Sequence, residues 1–92
     1  MNDNKMIELR KQIDEYNMKI MQLLNERAKI AVLIGKEKEK MGLEKYDVKR
    51  EEEILKRLKF LNEGPLTDEM ICDVFRSVFS TNLELQLMNS KE

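Results

Sequence analysis

Stepping outward from Leu24 in alternating strides of three and four residues touches Arg10, Ile13, Asn17, Ile20, Leu24, Arg27, Ala31, Ile34 and Lys38. That spacing is the heptad-like seam an amphipathic helix turns toward its partners. No Pro interrupts the chain from about Asp3 to Met41, so the pattern predicts one helix over 3–41, ~57 Å long at about 1.5 Å per residue. A second stripe of Val48, Glu51, Leu55 and Leu58 follows Asp47, a good N-cap residue, and predicts a helix over 47–63 that stops at Gly64. The third stripe runs Ile71, Phe75, Val78, Asn82 and Leu85, flanked by Val74 and Gln86, behind Pro65 and the N-cap Thr67, and predicts a helix over 67–88. Breakers cluster only at Gly42 and at Gly64-Pro65, which predicts an all-α, three-helix protomer in a single domain spanning 1–92. Two short helices cannot cover so long a first one.

The seam carries charge where it should carry none. Arg10, Arg27 and Lys38 lie on the packing face, and burying a cation without a counter-charge is costly. They must either be paired or be kept for an anionic ligand. Polar residues interrupt the other two faces as well, Glu51 on the second and Asn82 on the third. Taken singly, each has a structural explanation: Arg27 snorkels, Lys38 trails from a helix end, Glu51 favours a helix N-terminus, and Asn82 sets register. Taken together, cations on one helix and amide or carboxylate groups on two others describe a pocket for a small polyanion that also carries neutral polar groups. Gly35 falls inside the first helix at a cost of about 1 kcal/mol relative to Ala, either as a weak point or because another helix or a ligand approaches closely.

Spacing sharpens this reading. Arg27 and Lys38 are eleven residues apart, three turns or ~16 Å, so both reach one ligand from one face. Arg10 lies ~25 Å further down the same axis, too far for that ligand. If all three bind ligand, Arg10 serves a pocket built mainly by another chain. An antiparallel two-fold pairing of the long helices does this twice and covers the surplus apolar length, which predicts a homodimer with two composite sites.

Composition narrows the classes that remain. A chain of 92 residues buries a modest share of its surface, and 38 % charged against 41 % hydrophobic residues, with one Pro and no Trp, suits long surface helices. A net charge of −1 supplies no overall field for nucleic acid or an acidic membrane. The absence of His and the single Cys72 remove the commonest general base, an internal disulfide and any multi-cysteine zinc site. No apolar run approaches the ~20 residues of a membrane span, and the opening MNDNKM has no h-region behind it, so the expected setting is cytoplasmic. The polar ending NSKE at 89–92 fits a natural terminus or the cut edge of a longer chain.

The strings LRKQID at 9–14, LLNERAKIAVLIGKEK at 23–38, YDVKRE at 46–51 and LELQ at 83–86, in that order over about residues 6–88, resemble the all-helical class of chorismate mutases. The ending GPLTDEMICDVFRSVFSTNLELQ resembles mutase modules fused to bacterial DAHP synthases, the first enzyme of the shikimate route. The resemblance implies an intertwined dimer that converts chorismate to prephenate, a step toward the aromatic amino acids, by a Claisen rearrangement without metal or organic cofactor. By motif position it implies that Arg10 of the partner chain and Arg27 bind the two carboxylates, with Arg50 in support. It implies further that Lys38 and Gln86 donate to the ether oxygen, that Glu51 accepts from the ring hydroxyl beside Asp47, and that Asn82 lines the carboxylate end. Tyr16 and Asn17 stand where the family often has an aliphatic residue and Asp, and Asn82 where a small hydroxyl residue is common. Gln86 is an amide and donates without needing protonation. Two other functions fit the same frame: an isochorismate-pyruvate lyase, and a non-catalytic module that senses chorismate or prephenate. A plain coiled-coil interaction protein would tolerate loss of Arg27 and Lys38.

Overall fold

The computed structural model describes residues 3–90; Met1, Asn2 and the last two residues of the ending NSKE lie outside the described residues. Three helices follow in chain order, α1 (Asp3–Lys40), α2 (Val48–Leu61) and α3 (Asp68–Met88). Each boundary has a local cause. Gly42 at φ +69° takes the left-handed conformation that closes a helix C-terminus, and Leu43 N–H reaches back to the Lys38 carbonyl at 2.8 Å. Asp47 caps α2 by accepting from Arg50 N–H at 3.0 Å, and Thr67 caps α3 by accepting from Met70 N–H at 3.1 Å. The second helix ends two residues earlier than its pattern predicts, because Asn62 turns to extended backbone and recruits its side chain for the connection. Its amide donates to the Leu66 carbonyl at 2.8 Å and to Asp68 at 2.9 Å, and its oxygen accepts from Gly64 N–H at 3.1 Å.

Helix α3 packs against both α1 and α2, while α1 and α2 do not pack on one another. Hydrogen bonds join Arg27 to Asn82, Ala31 to Gln86 and Glu39 to Ser90, so both chain positions rise together and α1 runs parallel to α3. Ala31 and Gly35 of α1 and Cys72, Val78 and Phe79 of α3 are the buried residues, with Phe75 and Phe79 in tilted ring contact at 6.3 Å. Two of these, Cys72 and Phe79, sit one step round from the predicted seam, whereas flanking Val74 is 55 % exposed. The reason is that α3 is clasped on two sides, so its covered stripe is wider than one heptad seam. Gly35 marks a close approach of α3: a Cβ built on it would stand 3.0 Å from the Gln86 side chain.

Only part of α1 shares in this packing. From Asp3 to Glu26 every residue is exposed, and Arg27 is the first that is not. The molecule is accordingly elongated, 62 × 27 × 14 Å, with half of its longest helix projecting from the three-helix body.

Candidate active site

Because α2 leaves the body without touching α1, a cleft opens between them, with α3 as its floor. The cleft is a cavity of about 260 Å³ whose polar lining includes Arg27 and Lys38 from α1, Asp47 from the α1–α2 loop, Arg50 and Glu51 from the first turn of α2, and Asn82 and Gln86 from α3. Apolar side chains of Ile30, Ile34, Ile54, Phe79 and Leu83 complete the wall. Residues far apart in the chain meet here because the α1–α3 register sets 27 beside 82 and 31 beside 86.

The three cations are held differently, and each keeps capacity for a ligand. Arg27 donates to the Asn82 side-chain oxygen at 2.6 Å, and its guanidinium lies 5.6 Å from the centroid of the Phe79 ring. Among the described residues no carboxylate pairs with it, so most of its five donors stay available to a ligand. Asn82, whose part the sequence left most open, is the residue that orients Arg27. Lys38 is about four-fifths covered; its Nζ donates to the Lys45 carbonyl at 3.1 Å and stands 3.6 Å from an Asp47 oxygen. An ammonium has three donors, which leaves one for the cavity. Arg50 is exposed and pairs with Glu53 at 3.4 Å, a contact that solvent weakens and a ligand can replace.

The acceptors stand at the loop end of the cleft. The Arg50 backbone N–H, aided by the charges of Lys38 and Arg50, holds the Asp47 carboxyl below its usual value despite partial desolvation. Asp47 is therefore ionised at neutral pH. Glu51, half-buried in the first turn of α2, presents a second carboxylate at the positive end of that helix. The Gln86 amide nitrogen donates to the Ala31 carbonyl at 2.7 Å.

Arg10 is the one predicted site residue that the protomer does not bring to the cleft: it lies in the exposed stretch of α1. Sequence reasoning missed Lys45 and Tyr46, which both line the cleft. Lys45 forms a largely covered ion pair with Glu39 at 3.1 Å, and Ser90 donates to the same carboxylate at 3.2 Å, so the loop is pinned to both α1 and the end of α3. The signal was not periodic and no seam count finds it; the six-residue spacing of Glu39 and Lys45 across Gly42 was the only hint.

A second depression of about 310 Å³ lies on the outer side of the loop, where Lys45 is the single cation among residues such as Leu43, Leu83 and Leu87. A polyanion is served by the cleft. Arrangement and chemistry thus agree on a site where Arg27, Lys38 and Arg50 face two carboxylates and two amides around a small open volume.

The match to known proteins covers this whole arrangement. Residues 9–87 fit the family model described as chorismate mutase type II. A solved structure of chorismate mutase from Thermus thermophilus superposes with a TM-score of 0.91 at 38 % identity, over 95 % of this chain and 99 % of that one. A chorismate mutase of Methanocaldococcus jannaschii is 34 % identical over 83 residues, covering 89 % of this chain and 84 % of its own. The bifunctional chorismate mutase/prephenate dehydratases of Aquifex aeolicus and Neisseria gonorrhoeae are each 39 % identical, over 86 % and 91 % of this chain, and the chain spans 23 % of their length. With the family model matched over nearly the whole sequence, the chain belongs to the chorismate mutase type II family.

Proposed function

We propose that this protein rearranges chorismate to prephenate in the α1–α2 cleft. The observation that carries the reading is the convergence of Arg27, Lys38, Arg50, Glu51, Asn82 and Gln86 on one cavity, a donor and acceptor set suited to a dicarboxylate with one hydroxyl and one ether. Arg27, steadied by Asn82 and Phe79, binds one carboxylate; Arg50, released from Glu53, supports the same end. Glu51 accepts from the ring hydroxyl beside Asp47. Lys38 and Gln86 donate to the ether oxygen as its bond to carbon breaks and negative charge grows there. The reaction is intramolecular, so the site needs no nucleophile: it holds the compact, chair-like conformer and stabilises the charge of the transition state.

The working unit in this proposal is an intertwined homodimer, with each chain, residues 1–92, forming one mutase domain. Support comes from the projecting half of α1, which exposes Met6, Ile7, Leu9, Ile13, Ile20 and Leu24 among others. These six are about half exposed, so covering them supplies roughly half of the ~1.5–3 kcal/mol of a full burial each, about 5–9 kcal/mol per chain and twice that per dimer, of the same order as the ~4–15 kcal/mol cost of association. Antiparallel pairing of this stretch carries Arg10 to the second carboxylate in the partner's cleft. The ending of the chain also supports association with a DAHP synthase, while the bifunctional relatives named above carry a prephenate dehydratase; sizing the chain with each purified enzyme separates the two partners.

Incubating the purified protein separately with chorismate and with isochorismate tests the chemistry. Prephenate from chorismate is the result this reading requires. Pyruvate from isochorismate alone would make it a lyase, and binding of chorismate without turnover would make it a sensing module.

A further inference from the structure

Gly35 is buried near the C-terminal end of α1, five residues before its last, at a position where Ala would be the better helix former. What occupies the space of its missing side chain is Gln86. A Cβ at residue 35 would lie 3.0 Å from Gln86 Cγ, 3.2 Å from its Cβ and 3.3 Å from its Cδ, all inside the ~3.5–4.0 Å of an ordinary carbon contact. The Gln86 side chain therefore lies along the surface of α1, and its amide nitrogen ends on the Ala31 carbonyl, one turn before Gly35, at 2.7 Å. The hydrogen bond also fixes which way the amide faces, since its oxygen would meet the carbonyl as acceptor against acceptor. One N–H is used on Ala31. The other, in the same amide plane, is left for the cavity that Gln86 lines.

We propose that Gly35 is a positioning residue for the rearrangement: by withholding a Cβ, it lets Gln86 dock on α1 with one N–H anchored and the other presented to the ether oxygen. The proposal rests on the mutase reading of the cleft. A methyl group at residue 35 cannot be accommodated by moving only the tip of Gln86, because the crowded atoms include the Cβ, which is fixed to the α3 backbone. Turning the side chain about its Cα–Cβ bond would clear Cγ and Cδ but takes the amide off Ala31, and the contact with Gln86 Cβ is relieved only if α3 moves back at this level. Both remove the donor from its place, and a donor shifted by a few tenths of an ångström or more loses its advantage at the reacting atom. Binding suffers less, because the carboxylate partners Arg27 and Arg50 do not lean on Gly35.

The test is a double-mutant cycle on steady-state kinetics with Gly35→Ala and Gln86→Ala. Gly35→Ala should lower kcat by about 10- to 100-fold with KM changed less than about threefold. In the Gln86→Ala background, where Cγ and Cδ are gone, the same substitution should cost less than about twofold. A Gly35→Ala protein with wild-type kcat, or one that loses as much in both backgrounds, overturns the proposal. A second readout needs no variant that has to fold: in the unmodified protein, one side-chain NH2 proton of Gln86 should resonate away from the usual range of free glutamine amides and exchange slowly with solvent, because it is bonded to the Ala31 carbonyl. A pair at the ordinary shifts of a free glutamine amide, with both protons exchanging as fast as those of an exposed side chain, overturns the docking. Wild-type protein that leaves chorismate unchanged would strike the mutase reading instead, so the two failures are told apart.

Discussion

The two halves of α1 carry one continuous seam in different surroundings. In the half from Arg27 onward, α3 lies alongside, Ala31 and Gly35 are buried, and the off-pattern cations have partners: Asn82 and Phe79 for Arg27, the Lys45 carbonyl and Asp47 for Lys38. In the half before it every residue is exposed, and Arg10 stands in that half with exposed apolar residues such as Met6, Leu9 and Ile13 close to it in sequence. An identical sequence pattern thus serves two purposes. A seam with small residues at its centre admits a neighbour from the same chain, whereas a seam of Leu, Ile and Met is left exposed, and the proposed dimer covers it with another chain. Cations on both halves can serve the same kind of ligand only if the projecting half of one protomer reaches the cleft of the other.

Breaking the covered half should have the largest effect. Arg27→Ala is expected to lower kcat/KM by roughly 10³-fold or more, because a carboxylate partner is lost in substrate and transition state alike. Lys38→Ala should instead lower kcat by on the order of 10²- to 10³-fold with little change in KM, since its contact strengthens as the ether bond breaks. Lys38 already has partners without substrate, so its removal should change folding stability by less than about 1 kcal/mol. Steady-state kinetics and thermal melts of the two variants would show the contrast, and equal losses in both parameters for both would erase it.

Charging the projecting half should come next. Ile20→Asp puts two carboxylates into the proposed dimer interface and should weaken association at least about thirtyfold, the equivalent of ~2 kcal/mol. Sedimentation would show a shift toward monomer, and activity per chain would fall as the protein is diluted. A variant that stays dimeric would place the interface elsewhere.

Asp47 marks where the comparison ends, because its cap belongs to the loop and not to either half of the seam. Its carboxyl titrates below 3.8, held there first by the Arg50 N–H and then by neighbouring cations. A lowered folded-state value stabilises the fold above the ordinary value, and that contribution fades as the pH falls from about 3.8 through the lower one. Asp47→Asn keeps a capping oxygen but cannot titrate. Melts from pH 7 down to about 2 should therefore show wild type losing more of its thermal stability than the variant, confined to the acid end. Parallel curves would mean that the cap has no charge component.

Much of this was legible in the sequence, and what was not has identifiable causes. Periodicity and capping residues place three helices, since Asp47 and Thr67 do cap α2 and α3. Periodicity cannot tell how many neighbours a helix has, which is why Cys72 and Phe79 were missed and Val74 was placed too near the core. The seam count finds Arg27 and Lys38 because both lie on a repeating face. It does not find Lys45, which reaches the cleft through a loop whose path depends on a pair with Glu39. Nor does it decide what Gly35 is for; that needed the position of Gln86 on another helix.

The claim that Arg10 works in the partner's cleft has one direct test. An Arg10→Ala chain and an Arg27→Ala chain, each nearly inactive alone, are mixed in equal amounts under conditions of subunit exchange. Random pairing makes half of the dimers mixed, and each mixed dimer carries one site with both arginines, so activity should rise to roughly a quarter of the wild-type value. If exchange is confirmed by sizing of differently tagged chains and activity stays at the level of the separate variants, the two arginines belong to the same pocket or Arg10 to none, and the division of α1 into a half that builds a site and a half that completes its neighbour's is wrong.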